Sequence, residues 1–151
     1  MNSEGGVTRR TLLAGAAGIA AFSRAQAASD PLSWTLTEAA QALDKGTVSS
    51  EELTKLCLAR IHKLDPLLNA FITLDEQAAL EQARECDRQR KSGRVSSSLH
   101  GVPIALKDNI DTAGLKTTAA ANVFKDRVPT EDADVTRRLI AVSPVDRKSV
   151  V

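Results

Sequence analysis

The chain has 151 residues, 42% hydrophobic and 26% charged, with a net charge of +1 at pH 7. That balance fits one soluble globular unit with a modest core and excludes a disordered chain. Basic and acidic residues are interspersed, so there is no basic stripe for nucleic acid, and that class of partner is set aside.

The first element in chain order is a leader. Thr8-Arg9-Arg10-Thr11-Leu12-Leu13 precedes an apolar run rich in Ala and Gly that ends at Phe22, and Ala25-Gln26-Ala27 follows. The run is about half of the roughly 20 residues that span a bilayer, so it reads as a signal h-region and not as a stable membrane anchor. The paired arginines resemble the twin-arginine export signal, with an ordinary secretory signal as the alternative. Residues 1–27 are therefore expected to be a signal peptide cleaved near Ala27, leaving a periplasmic or secreted protein with a net charge near −1.

Thr35-Leu36-Thr37-Glu38 has the form of a capping box. Leu36, Ala39, Ala40 and Leu43 recur behind it at helical spacing, and Gly46 supplies the stop. Ser49-Ser50-Glu51-Glu52 opens a second helix whose stripe is Leu53, Leu56, Cys57, Ile61 and Leu64, with Pro66 just past its end. Arg60 falls inside that stripe and should lay its stem on the core, its head on a carboxylate or helix-end carbonyl. His62 points the opposite way, to solvent.

Residues 69–74 read as a short strand, and Asp75 as the N-cap of a third helix running to about Lys91. The inner face of that helix is Ala79, Ala83 and Cys86. Neither Cys57 nor Cys86 has a second Cys or a His at metal-ligand spacing, so both are expected to pack as small hydrophobes, a disulfide being the alternative.

After the polar link 96–98, residues 102–108 alternate in character: Val102, Ile104 and Leu106 on one face, Pro103, Ala105 and Lys107 on the other. This predicts a strand, with Pro103 at its start or on an edge. Asp111-Thr112-Ala113-Gly114 is a turn, and a last helix begins after Asp132 with Val135, Leu139 and Ile140 as its apolar side. Helices mixed with strands in this way predict an α/β fold, a mixed sheet flanked by helices.

Lys107 ends an apolar strand among small side chains. A lysine placed there loses water around its ammonium group, which favours the neutral amine, and a neutral amine can take a proton from a hydroxyl. The bland alternative is a solvated or ion-paired strand end. Asp108 and Asn109 are placed to orient Lys107 or, more simply for Asp108, to end the strand and form the turn. His100 is read as structural.

The segment Leu99-His100-Gly101-Val102-Pro103-Ile104-Ala105-Leu106-Lys107-Asp108-Asn109-Ile110 resembles the one that carries the catalytic lysine in amidase signature enzymes. The likeness extends through Leu53 to Asn69-Ala70-Phe71, the alanine-rich helix 78–87, Gly114-Leu115-Lys116-Thr117-Thr118, and Asp132-Ala133-Asp134-Val135 to Leu139. It covers about residues 36 to 141.

The resemblance implies amide hydrolysis by a Ser–cis-Ser–Lys triad through an acyl-enzyme, with Lys107 as terminal base. It implies a small-molecule amide substrate and neither a metal nor an organic cofactor. A non-catalytic interaction module and the amidase subunit of a tRNA-dependent amidotransferase are the alternatives. Which amide is cleaved, and the oligomeric state, are left open.

The chain departs from the family pattern in two places. Relatives often show Thr-Thr-x-Gly-Ser where Thr117-Thr118-Ala119-Ala120-Ala121 stands here. Beyond Ala141, the Gly/Ser-rich segment with both serines does not follow. Residues 28–145 are therefore expected to be a truncated N-terminal part of the amidase domain, inactive by itself. Residues 146–151 are expected to be a non-native tail of a shortened gene model. The face formed by Val102, Ile104 and Leu106 is expected to be poorly covered.

Overall fold

The computed structural model describes residues 30–144 and the backbone of residues 149–150. Residues 1–27, expected to be a signal peptide, lie outside the described residues, as does most of the expected tail 146–151.

Helix α1 (Leu36–Asp44) starts at the expected capping box: the Glu38 amide donates to Thr35 Oγ1 (3.3 Å) and the Thr35 amide donates back to the Glu38 carboxylate (2.7 Å). Helix α2 (Ser50–Leu68) is capped by Ser49, whose hydroxyl accepts from the Glu52 amide at 3.0 Å. A second cap comes from outside the helix. The Asp87 carboxylate accepts from the Ser50 amide (2.8 Å) and the Glu51 amide (3.0 Å), filling two more of the orphan donors at a positive helix end. Asp87 belongs to α3 (Glu76–Lys91), which starts at Asp75, whose side chain accepts from the Ala78 amide. Helix α4 spans Asp134–Val142.

Helix α2 runs past Pro66, so the expected stop at that proline is corrected. A proline in the last turn sacrifices one backbone bond but leaves little helix behind it to break. The end comes instead at Asn69, in the left-handed conformation (φ 50°), with Asp65 Oδ1 collecting the Ala70 and Phe71 amides at 2.7 and 3.0 Å.

The core joins α1 to the middle of the chain: Ala39, Ala40, Ala42 and Leu43 pack with Val48, Leu53 and Val102, and Trp34 and Leu99 close over them. Helices α2 and α3 pack on each other, with the small residues Ala79, Ala83 and Cys86 buried on α3. The Glu51–Arg84 ion pair (3.0 Å) spans the two helices at their solvent edge. Helix α4 turns Leu139 and Ile140 partly inward, as expected, but not Val135. Thr136 is its buried residue and donates to the Asp111 carbonyl (2.7 Å), while Val135 is exposed.

The expected mixed sheet is not formed among the described residues. Their paired strands are β1 (Thr73–Leu74) and β2 (Ser149–Val150), antiparallel, with Thr73 opposite Val150. Residues 69–72 are irregular, and residues 102–107 form no strand beyond an isolated bridge at Leu106. Alternation favours an extended backbone, but a ladder needs a neighbouring strand along its length, and none pairs continuously with this segment among the described residues. It is nonetheless covered: Val102 and Leu106 are buried and Ile104 is partly so, which corrects the exposed face expected from sequence.

The cross-helix cap gives a direct test of this packing. Asp87→Ala leaves two α2 amides without their acceptor and should lower stability by about 1–2 kcal/mol. Urea unfolding followed by circular dichroism measures it. A change below about 0.3 kcal/mol would mean that water replaces the carboxylate at no loss.

Candidate active site

The lysine segment enters through a fixed corner. His100 is fully buried, and its Nε2 lies 3.2 Å from the Cys86 carbonyl while Nδ1 faces the Ser96 hydroxyl (3.0 Å) and amide (3.4 Å). A carbonyl can only accept, so Nε2 carries the hydrogen and Nδ1 is the acceptor. Nε2 ties the corner to α3 and Nδ1 ties it to the link at Ser96, so both ring nitrogens are used and His100 is structural.

Gly101 follows with φ at +90°, and a Cβ there would lie 3.2 Å from Ser50 Cβ and Oγ. Backbone conformation and space both demand glycine. The carbonyls of three successive residues then accept from three different places: His100 from Arg90 Nη2 (2.7 Å), Gly101 from Ser50 Oγ (2.7 Å), and Val102 from Ser143 Oγ (2.6 Å).

Five residues on, Lys107 stands between two buried neighbours, Leu106 at 5% and Asp108 at 3% exposure, with its own side chain exposed. Among the described residues its ammonium group has no hydrogen-bond or ion-pair partner. The desolvation expected from sequence is thus not supplied by residues 30–144; the segregation of Lys107 from the buried face is. Its carbonyl accepts from the Ile110 amide (2.8 Å), which opens the turn. Asn109, its other polar neighbour, is exposed.

Asp108 does more than end a strand. Its carboxylate accepts from the Thr118 amide (2.8 Å), the Thr118 hydroxyl (2.6 Å) and the Ala120 amide (2.9 Å), and its carbonyl accepts from the Ala119 amide (3.0 Å). Burial by itself would raise the Asp108 carboxyl. The Thr118 hydroxyl and the Thr118 and Ala120 amides outweigh it and hold the group below the usual aspartate range. The turn it grips carries Ala119 and Ala120 both left-handed, at φ 49° and 51°. Residues without a β-carbon suit that region, so two alanines there store strain that the carboxylate offsets.

The rest of the loop is anchored by Asp111, which takes both guanidinium nitrogens of Arg127 at 2.6 Å and is held by them below its ordinary range. Asp108, Asn109, Asp111, Thr117 and Arg127, with Ala119, Phe124 and Ala133, line a cavity of about 400 Å³.

A larger apolar groove of about 540 Å³ runs from Trp34 past Leu53, Cys57 and Phe71 to Ile104, and stops at Ala105, two residues short of Lys107. Its polar groups are already committed. Arg60 donates to the Leu32 carbonyl (3.1 Å), the helix-end carbonyl role expected of it, and Asp65 holds the end of α2. Burial pushes the Cys57 thiol up, against the pull of Arg60, away from nucleophilic thiolate. Cys57 and Cys86 are both free thiols, so the disulfide alternative does not hold, and burial raises Cys86 to about 11. His62 is exposed on the far side and meets Glu76 at 3.0 Å. Among the described residues no group of His, Cys, Asp and Glu is arranged to hold a metal ion.

Two measurements follow from the Asp108 grip. A carboxyl held low in the folded chain stabilises it fully above its unfolded pKa of about 3.9, and the contribution fades as the pH drops through the lower folded value. Stability should therefore fall on acidification below about pH 4 through this group, and Asp108→Asn should remove that portion of the slope. Separately, Ala120→Gly keeps the donated amide and relieves one left-handed alanine, so it should stabilise by about 1 kcal/mol in urea unfolding. A destabilised glycine variant would refute the strain.

The sequence profile of the amidase family matches residues 52–145. The glutamyl-tRNA(Gln) amidotransferase A subunit of Myxococcus xanthus is 47% identical over 105 residues, covering 70% of this chain and 22% of that protein. Its mitochondrial counterpart from Rattus norvegicus is 42% identical over 106 residues, covering 70% and 20%. Among solved structures, native peptide amidase from Stenotrophomonas maltophilia superposes with a TM-score of 0.69 at 36% identity, over 74% of this chain and 23% of that one. Fatty acid amide hydrolase, at 24% identity and a TM-score of 0.70, shares the fold, over 75% and 20%. The chain thus spans about a fifth of the length of the curated relatives it matches. With the lysine segment, its buried flanks and this extent of match in agreement, the chain belongs to the amidase family, the amidase signature enzymes.

Proposed function

We propose that this chain is the N-terminal part of an amide-hydrolysing enzyme in which Lys107 is the terminal base. The observation that carries the reading is the placement of Lys107: an exposed ammonium, unpartnered among the described residues, between buried Leu106 and Asp108, at the position the family resemblance assigns to the lysine. In the mechanism the resemblance implies, neutral Lys107 Nζ takes the proton that a bridging serine relays from the nucleophilic serine. The serine oxygen adds to the amide carbonyl, the C–N bond breaks with the proton passed to the leaving amine, and water then hydrolyses the acyl-enzyme. Both serines would come from the part of the relatives' length that this chain does not span, and so would the cover that desolvates Lys107.

Two observations bear on the finer reading. The 41–47% identities to amidotransferase A subunits support the amidase subunit of a tRNA-dependent amidotransferase. The leader-like sequence of residues 1–27 supports a free-standing exported amidase, because export would part the chain from tRNA and the other amidotransferase subunits. Ammonia release separates the two. A free-standing amidase liberates ammonia from a peptide amide alone, whereas an amidotransferase subunit needs its partner chains and glutamine.

Lys107 is tested in the full-length protein. Lys107→Ala should lower kcat at least about 10²-fold with KM little changed, and Lys107→Arg should fail nearly as badly because a guanidinium does not give up its proton. An active Lys107→Arg enzyme would leave the residue a structural role only.

Export is tested with a reporter fused after Ala28. Arg9→Lys with Arg10→Lys should abolish twin-arginine transport. Delivery to the periplasm that survives both changes and needs the general secretion machinery would identify an ordinary secretory signal.

A further inference from the structure

We propose that Asp108 is a positioning residue for Lys107: by tying the 118–120 turn to the lysine's own stretch of backbone, it fixes where the Lys107 ammonium stands. This rests on the reading of Lys107 as the base.

The argument starts from what does not hold Lys107. Among the described residues no carboxylate or carbonyl meets its Nζ, so the position of the amine depends on the backbone that carries it. On the upstream side that backbone is fixed by packing, through buried Leu106. On the downstream side packing is replaced by hydrogen bonds. Residue 108 accepts four donors from residues 118, 119 and 120, three at its carboxylate and one at its carbonyl.

Those bonds hold the peptide plane that follows Asp108 and the side chain in one relation to the turn. Because Ala119 and Ala120 sit at positive φ, the turn relaxes to another shape once the carboxylate lets go. The Asp108 carbonyl and side chain move with it, and Lys107 is the residue joined directly before Asp108. A displacement of about 1 Å at a catalytic group can cost about 10²-fold in rate, so a clamp of this kind acts on catalysis without touching substrate. The three donors occupy the carboxylate, which therefore acts through the turn and not as a counter-ion for the lysine.

The test uses the full-length protein and ammonia release from an N-acetyl amino-acid amide. Asp108→Asn replaces one acceptor oxygen by a donor, and Asp108→Glu keeps the charge but lengthens the arm. Each should lower kcat at least about tenfold per folded molecule, leave KM within about twofold, and leave the pH of half-maximal activity in place. Thr118→Val, which removes only the hydroxyl donor, should lower kcat by a smaller factor, about fivefold, and serves where the Asp108 variants do not fold.

Folded variants with kcat within twofold of the parent would overturn the proposal. So would an active Asp108→Glu together with an Asp108→Asn whose pH profile moves, since that pattern means the charge acts on the lysine directly. An active Lys107→Arg overturns the reading of the base instead, whatever Asp108 does.

Discussion

A polar backbone drawn through an apolar interior must find partners, and in this chain the residues from His100 to Asp108 set that requirement for everything around them. The segment lacks a continuous strand partner among the described residues, and the carbonyls of His100, Gly101 and Val102 are satisfied one at a time by side chains. Arg90 reaches in from α3, Ser50 from the first turn of α2, and Ser143 from just beyond α4. Each of these donors sits at or near a helix end. The three helices are thereby registered on one stretch of chain, and the extended segment acts as the spine that a sheet would otherwise provide.

The same constraint explains the identity of residues that look chemical and are not. A buried histidine beside a catalytic segment invites a nucleophilic reading, yet both nitrogens of His100 are used up by Cys86 and Ser96. Ser50 is buried and close to glycine, as a nucleophile is, but its hydroxyl is given to the Gly101 carbonyl and its amide to Asp87. Lys107 is distinguished by the opposite property. Among the described residues its ammonium group has no hydrogen-bond or ion-pair partner, and its side chain is exposed.

What could be read from the sequence follows the range of each interaction. The caps at Thr35, Ser49 and Asp75 depend on contacts three residues away, so their residue types announce them. The opposite directions of Arg60 and His62 follow from helical geometry alone. The end of α2 was not legible at Pro66, because Asp65 captures two amides four and five residues past the proline and draws the helix on to Leu68. Alternation at residues 102–108 encodes a buried side, and Val102 and Leu106 are buried, but it carries no information about who lies alongside, and the strand itself is not formed among the described residues. The role of Asp108 was least visible. Its partners are ten to twelve residues away in a loop without period, where only the paired threonines hinted at a polar grip.

That grip also gives a physical account of the chain's departure from its family at residues 119–121. A glycine in a left-handed turn removes steric cost but adds freedom, because it adopts many other conformations as readily. Alanine reverses the balance: it resists the left-handed region and, once forced there, has fewer alternatives of comparable energy. A turn with two such alanines holds its shape only while something opposes the strain, and here the opposing element is the carboxylate next to Lys107. Shape of the turn and placement of the lysine are thus coupled more tightly than a glycine would couple them. The carboxylate that opposes the strain is held below the usual aspartate range by the turn's own donors, so protonating it at low pH removes stability at the residue beside the candidate base.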